Sequence, residues 1–141
     1  MSSPRLTAAA LVALTVGLCP AAGQPPAARR VVVDNLGRSV EIPTRVRRVL
    51  SLQPEITRLV VALGAGDRLV GLDHFLRSND PLFRIVFPAA DRLPLVSRAD
   101  YNVNLETVVR LAPEVIFGAP EDARVVRSLE TKTGIPTVAL S

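Results

Sequence analysis

Short uninterrupted apolar runs alternate along the chain with segments whose apolar residues follow helical spacing. The runs cover residues 47–52, 68–73, 114–118 and 135–140. Between the first two, Ile56, Leu59, Val60 and Leu63 recur at i, i+3, i+4 and i+7, which is one face of a helix. Apolar strands without polar alternation are typical of sheets buried on both faces. The pattern therefore predicts an α/β fold with a parallel, doubly wound, Rossmann-like sheet flanked by helices.

Capping residues predict where the helices begin and end. Pro54 suits a first helical position and Gly64 a left-handed stop. Asp80-Pro81 can open a short helix, Asn104 can cap the next, and Gly134 can end a helix over residues 121–133. Upstream, two β-rich runs in residues 31–43 flank Asn35-Leu36-Gly37, which predicts an N-terminal β-hairpin at a sheet edge.

The first 23 residues have the pattern of a signal peptide. Arg5 gives a positive start, residues 6–18 form an apolar core, and small residues precede a cleavage site after Gly23. The core is shorter than the roughly 20 residues that span a bilayer. An N-terminal core helix is the alternative. Lipid attachment through Cys19 is a minor one, because Leu18 stands where a small residue is required. Residues 24–30 are predicted to be a linker and residues 31–141 the folded part of the chain.

Composition suits one globular domain and argues against nucleic-acid binding. The chain has 141 residues, 48% of them hydrophobic, and a net charge of +4. The positive excess is local, since six arginines fall within residues 29–48 and Lys132 is the only lysine. A nucleic-acid binder usually combines a basic stripe with a recognition motif or stacking aromatics. Aromatic residues make up only 4% of the chain, so no nucleic-acid partner is predicted.

Candidate binding residues follow the predicted strands, because ligands of parallel sheets bind beyond the carboxyl ends of the strands. The loops concerned are residues 53–54, 73–75, 97–101 and 119–121. His74, Phe75 and Arg77 together offer an aromatic face and a cation, which suit a planar or anionic chelate. Alternatively, Phe75 is partly buried and Arg77 solvated. Tyr101 either contacts a ligand or packs its own loop.

The sequence predicts no catalytic residue, no bound metal and no cofactor. The glycines of residues 64–71 follow a helix and precede a strand, which reverses the order of a dinucleotide-binding loop. Ser51, Asp73 and His74 are formally a catalytic set, but no nucleophile-elbow motif surrounds them. One histidine beside one aspartate also supplies fewer ligands than a typical metal site has. A small α/β hydrolase or reductase domain is kept as the alternative from another class.

Glu106 occupies the second position of the helix that Asn104 caps. A carboxylate there gains roughly 0.3–1 kcal/mol from the positive helix end. Spacing alone therefore favours an ordinary helix-start carboxylate over a contact with a partner.

The order of these motifs resembles the N-terminal lobe of the class III periplasmic binding proteins. These proteins are the substrate-binding components of ABC importers for iron-siderophores, haem and cobalamin. The similarity runs from about residue 31 to the C-terminus, through VVVDNLGRSVEIP, RVLSLQPEITRLVVALGAGDRLVGLD, the Asp80-Pro81 segment, NVNLETVVRLAPEVIFG and TGIPTVAL. It implies one lobe of a bilobal binding protein, with ligand held between two lobes that a long helix joins. The bridging helix and C-terminal lobe are then absent from this chain.

The resemblance also implies roles for individual positions. Gln53 and Pro54 match the first pocket loop and Phe75 an aromatic ligand contact, while Asp100-Tyr101 and Ala119-Pro120 line the same cleft. Glu106 matches a carboxylate that pairs with arginines of the membrane permease.

The implied function is that of an exported, non-enzymatic protein, periplasmic or associated with the cell surface. It would capture a metal chelate and deliver it to an ABC permease. The segment SNDPLFRIVFP is longer than in cobalamin-type members and looks more like members that bind iron complexes, haem or oxyanions. A ferric siderophore is the favoured ligand; haem, cobalamin and molybdate or tungstate are the alternatives.

Overall fold

A computed structural model describes residues 28–98 and 102–141. The predicted signal peptide, most of the predicted linker, and Asp100 and Tyr101 lie outside the described residues. Within them, no helix is long and apolar enough to cross a membrane.

Five strands and five helices make up the described chain. The strands are β1 (Arg29–Val33), β2 (Ser39–Pro43), β3 (Val49–Ser51), β4 (Val115–Gly118) and β5 (Thr137–Ala139). The helices are α1 (Pro54–Ala62), α2 (His74–Asn79), α3 (Pro81–Val86), α4 (Leu105–Leu111) and α5 (Ala123–Thr133). Short 3-10 turns lie at Gly66–Arg68, Pro88–Arg92 and Pro120–Asp122.

The predicted parallel sheet is confirmed, with the strand order β3-β4-β5. Val49 pairs with Val115, and Ile116 pairs with Thr137. The apolar run at residues 68–73, predicted to be a strand, contributes only isolated bridges. Leu69 bridges to Val49, and Leu72 bridges to Leu95 of the extended segment that follows α3.

Side chains of the parallel strands alternate between two apolar clusters, one on each face of the sheet. Val49 and Val115 pack on one face with the hairpin residues Val40 and Ile42 and with part of α1. Leu50 and Ile116 pack on the other face with Val96 and with Val108 of α4. Because both faces are covered, these strands carry no polar alternation, which explains the runs seen in the sequence.

The N-terminal hairpin forms as predicted, and its turn contacts the edge strand β5 of the parallel sheet, where the N–H of Asn35 donates to the carbonyl of Ala139 at 3.0 Å. β1 and β2 pair antiparallel as a separate two-stranded sheet, and Gly37 in their turn has φ +72°. β1 begins at Arg29, so residues 29–30 belong to the hairpin and not to the linker.

The capping residues act as the sequence predicts. The side chains of Asp80 and Asn104 accept hydrogen bonds from the backbone N–H of Phe83 and Thr107, respectively. Gly64 and Gly134 take left-handed conformations after α1 and α5. Helix α2 was not predicted; it begins where Asp73 accepts from the N–H of Leu76 at 3.0 Å.

Candidate functional site

A cleft of about 280 Å³ opens at the carboxyl end of the parallel sheet. It lies where the loops after β3 and β4 meet the loop before α2 and the segment around Ser97. The described residues that line it, called the described lining below, are mostly apolar with a few polar side chains. They are Leu52, Gln53, Pro54, Asp73, Phe75, Ser97, Val103, Ala119, Asp122, Val125 and Val126.

The loop after β3 is held by hydrogen bonds to its own backbone. The carbonyl of Gln53 accepts from the hydroxyl of Ser51 at 2.9 Å and from that of Thr57 at 3.1 Å. It also accepts the N–H of Thr57 at 3.0 Å, the first hydrogen bond of α1. Pro54 fixes the first helical position without losing a needed N–H. Gln53 and Pro54 are therefore presented on a rigid wall of the cleft.

A hydrogen bond connects the loop before α2, which contains Asp73, to the segment around Ser97. Oδ1 of Asp73 caps α2, while the hydroxyl of Ser97 accepts the backbone N–H of His74 at 2.9 Å. Asp73 is only 5% exposed, and its Oδ2 is buried without a hydrogen-bond partner in the described chain. Burial raises the pKa of Asp73, although hydrogen bonds from the start of α2 act in the opposite direction.

The fourth side of the cleft comes from the end of β4 and the start of α5. The carbonyl of Gly118 accepts from the N–H of Leu140, which holds the end of β4 beside β5. A Cβ on Gly118 would lie 2.9 Å from a methyl group of Val126, so α5 packs against a residue with no side chain. Ala119 follows with extended backbone, and Asp122 stands exposed before α5 without a side-chain hydrogen bond to the helix.

The structure brings together four of the ligand-binding residues predicted from the sequence. Gln53, Pro54, Phe75 and Ala119 all line the cleft. Pro120 begins the adjoining 3-10 turn and is not part of the described lining.

His74 and Arg77 are placed differently from the prediction. His74 begins α2 and is partly buried, outside the described lining. The guanidinium of Arg77 donates to the carbonyls of Ala90 and Leu93, so it fastens α2 to the Pro88–Arg92 turn. Its positive charge is therefore held outside the described lining of the cleft. The spacing of residues along the sequence could not show this, because only the fold brings these carbonyls beside α2.

Sequence reasoning missed several residues that line the cleft. Asp122 and Val125 lie there because α5 starts at the same edge of the sheet. Val125 is 45% exposed, whereas Val126 and Leu129 of the same helix are buried. Asp73 and Ser97, by contrast, lie within loops that were predicted from the sequence, residues 73–75 and 97–101.

The described lining contains two carboxylates and no arginine, lysine or histidine. Arg58 is close enough to act electrostatically on Asp73, but its guanidinium donates to Asp80 at 2.8 Å and to Glu55 at 3.4 Å. The hydrogen bond with the Asp80 carboxylate raises the pKa of Arg58. This wall of the cleft is therefore acidic and apolar.

The formal catalytic set is not connected by hydrogen bonds in the described chain. The hydroxyl of Ser51 donates to Gln53, and Asp73 caps α2. Among residues 28–98 and 102–141, no group of three or more histidine, cysteine or acidic side chains could hold a metal ion.

Glu106 lies exposed at the second position of α4, directly after the Asn104 cap. Sequence reasoning passed over Arg110, which follows at helical spacing. Arg110 donates to the hydroxyl of Thr107 at 3.4 Å, and no described salt bridge involves Glu106. The Glu106 carboxylate is thus available to a partner.

No protein-family model matches the chain. The molybdate-binding protein MolA of Haemophilus influenzae is 26% identical over 115 residues, which cover 81% of this chain and 32% of MolA. The structure of MolA bound to molybdate superposes with a TM-score of 0.70 at 24% identity, covering 79% of this chain and 34% of MolA.

Two structures from Veillonella parvula are also similar. A periplasmic solute-binding protein has a TM-score of 0.70 at 23% identity, covering 80% of this chain and 35% of its own. The TroA-like periplasmic binding protein FepB has a TM-score of 0.64 at 24% identity, covering 78% of this chain and 36% of its own. These likenesses establish the fold, and the chain spans about a third of the length of the proteins it matches.

Proposed function

We propose that this chain, whose fold is that of one lobe of the class III (TroA-like) periplasmic solute-binding proteins, belongs to the substrate-binding component of an ABC importer. It contributes one wall of a ligand site and one contact for the membrane permease. Its role is binding and delivery, with no reaction catalysed. Relatives with this fold are solute-binding proteins of transport systems, which supports that reading.

The cleft at the carboxyl end of the sheet is the observation that carries the proposal. It lies where parallel α/β sheets bind ligands, and rigid loops after β3 and β4 form it. About 280 Å³ is at the lower end of the volumes of complete small-molecule sites. It suits one wall of a site whose opposite wall comes from further polypeptide, since the proteins matched are about three times as long.

The ligand we propose is a metal chelate, most specifically a ferric siderophore. The apolar side chains of Phe75, Val103 and Val125 suit the carbon skeleton of a chelate. Haem, cobalamin and molybdate or tungstate are the alternatives, and MolA of Haemophilus influenzae is the neighbour named for molybdate.

Glu106 is the proposed permease contact. Its carboxylate is exposed, unpaired among the described side chains, and held on a helix whose start is fixed by Asn104. A carboxylate in this state can meet an arginine without first breaking an internal ion pair. Delivery to a permease in this way requires an exported protein, and the signal-peptide pattern of residues 1–23 fits that requirement.

Titration of the full-length protein tests the ligand. We expect calorimetry to show saturable binding of a ferric siderophore in preference to haem, cobalamin or molybdate. Ala119→Trp should abolish binding, because an indole at Ala119 would fill the cleft while the extended backbone there accepts any side chain. Ala89→Trp, at an exposed position on the Pro88–Arg92 turn, is the matched control. No binding of any of the four ligands would contradict the proposal.

A further inference from the structure

The charge of the cleft wall points to the kind of ligand surface that it can accept. Both ionisable side chains in the described lining are acids, Asp73 and Asp122. Two cations nearby have other partners: Arg58 binds Asp80 and Glu55, and Arg77 binds backbone carbonyls. Arg98 follows Ser97 and lies outside the described lining. Arg124 and Lys132 line an adjoining depression, which shares Val103 and Val125 with the cleft. No cation belongs to the described lining itself, and Arg58 acts on Asp73 only from outside it.

Asp73 has one oxygen that the fold does not use. Oδ1 is engaged as the cap of α2, whereas Oδ2 is buried and has no hydrogen-bond donor in the described chain. A buried carboxylate oxygen without a donor is costly, because it has lost water without gaining a replacement. The raised pKa of Asp73, caused by burial, is the expected signature of that cost. Because Asp73 lines the cleft, a ligand donor that reached Oδ2 would remove this cost.

Asp122 carries the second acid, at the rim. It is exposed, it precedes α5, and its side chain makes no hydrogen bond to the helix. It can therefore turn to a ligand without giving up an internal contact. The two carboxylates, one deep and one at the rim, lie among the apolar side chains of the same cleft.

We propose that Asp73 and Asp122 make this wall selective for a ligand surface that is cationic or donates hydrogen bonds, and that they disfavour a bare oxyanion. This specificity rests on the proposed function of the cleft as a ligand site. An amine or hydroxyl group on an otherwise apolar chelate would donate to Asp73 Oδ2 or pair with Asp122. An anion such as molybdate would instead meet two acids and no cation on this side.

Two ferric chelates of opposite charge test the specificity in the full-length protein. One probe is a ferric trihydroxamate with a free ammonium group, the other a ferric triscatecholate, which is anionic; molybdate is the third. Asp122→Asn should weaken binding of the cationic chelate by about five- to tenfold, the scale of one charge a few ångströms away in a partly hydrated site. The same variant should strengthen binding of either anion.

Asp73→Asn should weaken the cationic chelate further, because the amide keeps an oxygen for the α2 cap but removes the charge. If Asp73→Asn does not fold, the test relies on Asp122→Asn alone. Asp122 is exposed and its side chain makes no hydrogen bond to α5, so this variant should fold. Glu41→Gln is the matched control. It removes an exposed acid from β2, outside the described lining, and should change all affinities less than about twofold, as expected for a screened surface charge.

Opposite shifts for the cationic and anionic probes would support the proposal. Equal shifts for every probe, or molybdate binding tighter than the cationic chelate in the unmodified protein, would overturn it while leaving the cleft a ligand site. Absence of binding by all three probes would overturn the proposal together with the proposed function. Calorimetry at two ionic strengths separates the two carboxylates, because the exposed Asp122 is screened more strongly than the buried Asp73.

Discussion

Replacing Asp34 by alanine should be among the most destabilising single changes in the described chain. Its carboxylate is buried between the hairpin and the parallel sheet. Oδ1 accepts the N–H groups of Leu36 and Arg38, at 3.0 and 2.9 Å. Oδ2 accepts the guanidinium of Arg38, at 2.9 and 2.6 Å, and the N–H of Ala139 in β5, at 3.2 Å. One side chain thus closes the hairpin turn and ties it to β5.

The expected loss is about 3 kcal/mol in the free energy of unfolding, at the lower end of the range for breaking a buried pair. The lower end applies because Arg38 keeps two other partners, Glu130 at 2.9 Å and the carbonyl of Thr137 at 2.7 Å, and stays 20% exposed. The total free energy of unfolding of a typical domain is only about 5–15 kcal/mol, so this loss is large.

The loss should depend on pH. Burial alone would raise the pKa of Asp34, but the hydrogen bonds from Arg38 and Ala139 outweigh it, so the pKa lies below its ordinary value. A carboxylate with a lowered folded-state pKa stabilises the fold above its unfolded value of about 3.9, and that contribution disappears as pH falls through the folded value. The difference between wild type and Asp34→Ala should therefore shrink in acid.

Urea unfolding followed by circular dichroism at neutral and acidic pH measures the effect. Glu130→Gln is the matched control, because it removes only the outer, more exposed contact of Arg38 and should cost less than about 1 kcal/mol. An Asp34→Ala loss below about 1 kcal/mol at neutral pH, no larger than that of a surface pair, would refute the assigned role of this carboxylate.

Further substitutions probe packing, capping and docking. Gly71→Ala should lower the free energy of unfolding by about 1–3 kcal/mol, because its Cβ would lie 2.8 Å from a methyl of Val96. Adding Gly71→Ala to a Val96→Ala variant should cost less, because that methyl is then absent. Asn104→Ala should cost about 1 kcal/mol by removing the α4 cap, again measured in urea, and full stability would contradict the cap. Glu106→Ala should leave stability within about 1 kcal/mol but lower uptake in cells, and normal uptake would refute its docking role.

Local features could be predicted from the sequence because they depend on neighbouring residues. The caps at Asp80 and Asn104 and the left-handed glycines after α1 and α5 need only a side chain and the next turn of backbone. The parallel sheet was also predictable, since apolar runs report burial on both faces. Four cleft residues followed from the rule that such sheets bind ligands at one edge.

Features that depend on distant contacts were not predictable. Asp34 is tied to Ala139, 105 positions away, and nothing in the local pattern of the hairpin shows that contact. Arg77 was expected to face a ligand, but it is used by carbonyls that only folding brings beside it. The apolar run at residues 68–73 was predicted to be a strand; its backbone makes single bridges because a 3-10 turn precedes it and Asp73 begins a helix directly after it.

Uptake in cells tests the central claim most directly. A strain lacking the full-length protein would be supplied with the unmodified protein, with Ala119→Trp, or with Ala89→Trp, each at equal exported amounts. Uptake of a ferric siderophore carrying radiolabelled iron is then measured. A substrate-binding role in an ABC importer predicts that the unmodified protein and Ala89→Trp restore uptake and that Ala119→Trp does not. Equal uptake with and without a filled cleft would contradict it.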